Sequence, residues 1–238
     1  VLRSIATGKN AGIDRNHALP LLHEIRQDNL VFGVFPLVSS YFVPTWFVNI
    51  THALETMSQI MEGVAFLHDH LVAHRYLFRV IGNFLNSRRD GPWKPEHKSD
   101  FLRPRYYIID FESAVQFSPD SDPVARTVSD PPLPWNRQPF PAEMKSDLPY
   151  CPFKTDVWQV GKSFLHLVHI EHEIPEIVKL LRQMCADNAE DRPSAREAVT
   201  ELNRLRDELH TEILRASIKQ PDYYDLTDEF DADYASSS

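Results

Sequence analysis

The stretch HRYLFRVIGNFLN, residues 74–86, holds a histidine, two arginines and a tyrosine but no acid. Its reading decides the fold, because it sits between two strong patterns. Upstream, over 51–71, Leu54, Met57, Ile60, Met61, Val64, Phe66 and Leu67 recur at helical intervals, with Asn49 or Thr51 as the N-cap. A long helix with a wide buried stripe is predicted there. Downstream, the polar insertion SRRDGPWKPEHKSD leads into RYYIIDF, where 106–109 reads as a buried strand that delivers Asp110 to its end. The stretch itself is then a loop closed by the short apolar run NFLN.

Working outward, 18–26 and 29–37 are apolar runs separated by the turn-like QDN, which predicts an antiparallel hairpin ending near Pro36. Residues 113–153 are rich in proline and poor in periodic apolar positions, and read as a long irregular surface segment. Helix returns at KTDVWQVGKSFLHLVHI, at EIPEIVKLLRQMC and at RPSAREAVTELNRLRDELHTEILR, where Pro193 suits a first helical turn. Few strands precede many helices, so the fold class is α+β, dominated by helix.

The bulk numbers narrow the function classes. A chain of 238 residues can bury one sizeable core or two small lobes around a cleft. The formal charge of −9 argues against nucleic acid and anionic membranes as partners. Two distant cysteines, Cys151 and Cys185, fit a reducing compartment, the cytoplasm or nucleus. The first residues have neither a signal core nor an initiating methionine, so the chain reads as a fragment of something longer. Residues 221–238 carry six acids and no Lys or Arg, and are expected to be a disordered acidic tail.

The order of these pieces resembles the eukaryotic protein kinase family, mainly the helical C-terminal lobe. HRYL is similar to the HRDL opening of the kinase catalytic loop, GNFLN to its closing asparagine and following strand, and IIDFE to the metal-binding DFG stretch. FPAEM resembles the APE that ends the activation segment, TDVWQVG the buried helix after it, and EDRPSAREA the arginine-bearing turn before the last helix. The resemblance covers roughly 16–210 and its divergence is similar to that of kinase-like proteins of fungi.

The resemblance implies a remnant of the N-lobe over 1–37, a C-lobe over 38–220, and ATP with Mg²⁺ as cofactors. Asp110 is the expected magnesium ligand, Asn83 the second, and Leu37 and Val38 line the nucleotide at the hinge between lobes. His74, Arg75 and Tyr76 occupy the catalytic-loop opening. Asp156 is expected to accept backbone N–H groups around His74 and Arg75, and Glu143 to pair with Arg192 as a partly buried ion pair. A protein is the expected substrate or partner.

The same comparison exposes what is missing. The position of the kinase aspartate that accepts the substrate proton is Tyr76, and a phenol with an ordinary pKa of about 10 is no base near neutrality. No acid occurs between His74 and Arg89, and Asn83 lies two residues later than the pattern places it. None of the seven glycines are spaced two apart, so no GxGxxG loop exists in the chain, and no VAIK-like strand lysine precedes the hinge. Glu112 stands where DFG has glycine. The expectation is therefore a domain of serine/threonine kinase lineage that is inactive or incomplete, with a pseudokinase scaffold binding a protein partner as the alternative.

Other signals carry less. His166, His169 and His172 stand three apart, and His68, His70 and His74 cluster, but without an acid or cysteine set they read as surface or core-edge residues rather than a metal site. Trp135 lies in a proline-rich run whose simplest role is packing on the domain.

Overall fold

The computed structural model describes residues 1–37, 47, 49–77, 80–83, 105–130, 140–167, 170 and 174–218, and for 80–83 and 166–167 the backbone only. Its centre is a helix, α3 (Ile50–Asp69), preceded by two short helices, α1 (Leu2–Ala6) and α2 (Gly8–Ala11), and by the hairpin β1 (His23–Gln27) and β2 (Leu30–Val34). Two-residue β3 (Val72–Ala73), β4 (Val80–Asn83), β5 (Arg105–Ile108) and two-residue β6 (Val115–Gln116) follow. The chain ends in α4 (Pro152–Leu167), α5 (Pro175–Met184), α6 (Ala195–Glu208) and α7 (Thr211–Arg215). The architecture is mixed α+β, with small antiparallel sheets around a helical body.

Helix α3 starts where Asn49 accepts a hydrogen bond from the His52 backbone N–H (2.9 Å), so of the two candidate caps it is Asn49 that is used. Its buried residues lie on every side, among them Leu54, Met57, Ile60, Met61, Val64 and Leu67, as expected of a helix enclosed by others. Helices α4, α6 and α7 and strand β5 all pack on it. Each such aliphatic side chain contributes about 1.5–3 kcal/mol by leaving water. The core also takes in Ile5, Ala6 and Ala18 from the beginning of the chain and Ile218 from its end.

The hairpin forms as its pattern predicts, turning at Asp28 with φ 53° and pairing Ile25 with Phe32 and Gln27 with Leu30. Residues 18–22 are not part of it. Ala18 instead makes a parallel bridge to Ile108: the Ile108 N–H donates to the His17 carbonyl (2.6 Å) and the Leu19 N–H to the Ile108 carbonyl (3.1 Å). Strand β5 thus lies between β4 and residues 17–19. The third long helical pattern is broken in two, because α6 stops at Glu208 and α7 restarts at Thr211. Pro193 is outside α6: Ser194 is the N-cap and forms a reciprocal capping box with Glu197. The proline thus precedes the helix rather than occupying its first turn.

His17 is 3% exposed and its Nδ1–H donates to the Tyr106 carbonyl (2.7 Å). Burial lowers its pKa to about 4, with Arg105 adding to the effect and the hydrogen bond opposing it. At neutral pH the ring is uncharged, so its 3.9 Å approach to Glu62 is not an ion pair. Below the ordinary value of 6.5 the unfolded chain takes up a proton that the folded chain refuses, and stability falls with pH. The loss expected from this residue is on the order of 3 kcal/mol by about pH 4. Urea midpoints between pH 7 and pH 4 should therefore fall less steeply in His17→Gln than in the wild type; identical slopes would contradict the assignment.

Candidate functional site

The loop 74–77 is fixed by one face of α4. Asp156 is fully buried and accepts the His74 backbone N–H on Oδ2 (2.8 Å) and the Arg75 backbone N–H on Oδ1 (2.6 Å). The His68 Nε2–H donates to the same Oδ2 (3.0 Å). Three residues along the helix, buried Gln159 accepts the Leu77 N–H (3.0 Å) and donates to the Arg75 carbonyl (3.1 Å). Asp156 thus takes the role expected of it. Gln159 and His68 were missed, although the i, i+3 spacing of Asp156 and Gln159 in TDVWQVG puts both on one face.

This clamp holds a backbone that would not hold itself. Arg75 has φ 69°, in the left-handed region that costs a non-glycine residue about 1–3 kcal/mol. Asp110 has φ 68° and is exposed; acids of this kind tolerate the region better. His74 joins the two. Its Nε2–H donates to the Ile109 carbonyl (2.8 Å), its Nδ1 accepts the Tyr76 N–H (3.2 Å), and its ring meets Phe111 edge-on at 4.7 Å. Both nitrogens are satisfied by the neutral ring. Burial accordingly lowers the His74 pKa, against the attraction of Asp156, the Ile109 hydrogen bond and Asp110.

Of the expected site residues, then, His74, Arg75, Tyr76 and the Asp110 backbone are brought together. Asn83 is not. Strand β4 is Val80–Asn83, with Asn83 opposite Arg105, and residues 84–86, where GNFLN was expected to lead into a strand, lie outside the described residues. Val80, opposite Ile108, is the end nearest Asp110. At about 3.3 Å per residue the Asn83 backbone lies on the order of 15 Å from Asp110.

Leu37 is 94% exposed at the end of the hairpin segment, and Val38 lies outside the described residues. So do Trp135, His169, His172, the 221–238 tail and the His166 side chain. His68 and His74 turn to Asp156 and Ile109, and the His70 Nδ1–H to the Phe66 carbonyl (2.8 Å). No group of metal-ligating residues occurs among the described residues. No helix among them is long and apolar enough to cross a membrane.

A second pair anchors the segment that leads into α4. Arg192, 2% exposed, donates through Nη1 and Nη2 to the two Glu143 oxygens, the second at 3.2 Å. Its remaining donors reach the Ala186 carbonyl (2.7 Å), the Asp187 carbonyl (3.3 Å) and the Lys154 carbonyl (3.3 Å), while Lys154 Nζ donates to the Arg192 carbonyl (2.5 Å). The pair forms as the resemblance implied. The chain matches no family model and no curated protein.

Proposed function

We propose that this chain is a protein kinase-like domain of serine/threonine lineage that keeps the scaffold of a catalytic loop and has lost phosphoryl transfer. The observation that carries the reading is the Asp156 carboxylate receiving the backbone N–H groups of both His74 and Arg75. That contact and the Glu143–Arg192 pair are what the resemblance implies for a kinase C-lobe, and with the His74 link to Ile109 they join five motifs far apart in sequence.

The case for lost chemistry rests on two residues. Tyr76 stands where the proton acceptor belongs, and Asn83 lies two residues later than the motif places it. Phosphoryl transfer depends on several positioned groups acting together, so losing two removes more than the sum of small effects. Magnesium and ATP are the cofactors of the lineage; Asp110 is the one expected metal ligand that stays beside the loop.

Thermal unfolding with ATP, with and without magnesium, tests this. A ligand that binds only the folded chain raises the midpoint once its concentration exceeds its dissociation constant. The expected result is no magnesium-dependent rise. A rise that requires magnesium and disappears in Asp110→Ala would overturn the reading.

A further inference from the structure

Apart from half-buried Glu24, every residue of β1 and β2 is exposed. Side chains alternate across a strand and cross-strand partners share a face, so the register sorts the hairpin into two faces. Glu24, Arg26, Val31 and Gly33 lie on one of them. There Glu24 accepts from Arg3 Nε (2.5 Å), and Gly33 sits so close to Leu21 and Phe35 that a Cβ would clash. This face is tied to α1 and to the chain around residue 21. On the other, Ile25 stands opposite Phe32, with Leu30 two residues along β2 in one direction and Val34 two in the other.

Ile25, Leu30, Phe32 and Val34 are 52%, 61%, 49% and 37% exposed. Together they present on the order of 400 Å² of apolar surface, the size at which an open patch marks an interaction site. His23 and Gln27 complete this outer face, which holds no Asp, Glu, Lys or Arg. A two-stranded ribbon is marginal by itself, and a second sheet laid on its apolar face is how such faces are buried.

Charge and shape select the occupant. The chain carries −9 overall, so two copies repel over most of their surface but not across this face. The face is also self-complementary. A twofold axis running across the strands at the Ile25–Phe32 pair lays Phe32 of one copy on Phe32 of the other and sets Leu30, the most exposed of the four, on Val34, the least. Such a pair buries about 800 Å² of apolar surface, and about 1,000 Å² with its polar rim, the lower bound of a specific contact.

We propose that the outer face of the β1–β2 hairpin is a homodimer surface, closed by a second copy of this chain in a face-to-face sandwich of two hairpins. At this size the dimer is weak, with a dissociation constant on the order of 10 µM. The surface is independent of the chemistry at the 74–77 loop.

Sedimentation of the full chain, from well below that concentration to well above it, tests the surface. The expected result is a shift from the 27.5 kDa monomer to a dimer and no further. Phe32→Lys sets two ammonium groups against each other at the axis and should weaken the dimer about a hundredfold. Val31→Lys, at a residue 47% exposed on the opposite face, should leave it unchanged. Both substitutions are at exposed positions, and urea midpoints of the two variants matching the wild type would show that folding is kept. A monomer throughout the range, growth past the dimer of the kind open edge-to-edge strand pairing gives, or a dimer that Phe32→Lys weakens no more than Val31→Lys does would overturn the proposal.

Discussion

Asp156→Ala lowers the unfolding free energy by about 4 kcal/mol, the largest effect expected of any single substitution in the described residues. The carboxylate is fully buried and is shared by three donors, the His74 and Arg75 backbone N–H groups and the His68 ring. Alanine leaves all three without their acceptor in a space that water does not reach. It also removes what holds Arg75 at φ 69°. Asp156→Asn keeps an oxygen but turns one acceptor into a donor facing an N–H, and should cost about 2 kcal/mol. Urea unfolding of both variants checks the order. An alanine variant losing less than about 1 kcal/mol would mean the loop is held by something else.

Glu143→Ala is the second large effect, a loss of about 3 kcal/mol. Arg192 is 2% exposed and keeps its backbone carbonyl partners after the change, but no other carboxylate contacts it among the described residues. Its charge is left buried and unpaired. Arg192→Met in the Glu143→Ala background should recover part of the loss, since the pair is replaced by apolar volume rather than broken. The same urea experiment decides it. Additive losses in the double variant would show that the two residues act separately.

Both contacts are what the kinase resemblance implies, between TDVWQVG and the HRYL loop and between FPAEM and EDRPSAREA, and no local pattern in the sequence names the partners without it. Asn49 was legible locally, as a side chain placed to cap the helix. What escaped was register. Which of 80–86 pairs with β5 depends on contacts across a polar insertion of more than a dozen residues, and no local signal in FRVIGN decides it. The misplaced Pro193 has a different origin: the Ser194–Glu197 capping box outweighs a proline at the helix start, and both signals stood side by side in RPSARE. The short helices α1 and α2 have too few residues to show a period.

Transfer of labelled γ-phosphate from ATP, in magnesium, to the chain itself and to a generic protein substrate tests most directly whether a catalytic-loop scaffold survives here without its proton acceptor. With Tyr76 in that place and Asn83 two residues out of step with the motif, incorporation should equal that of the Asp110→Ala variant. Incorporation that the wild type supports and Asp110→Ala abolishes would contradict it.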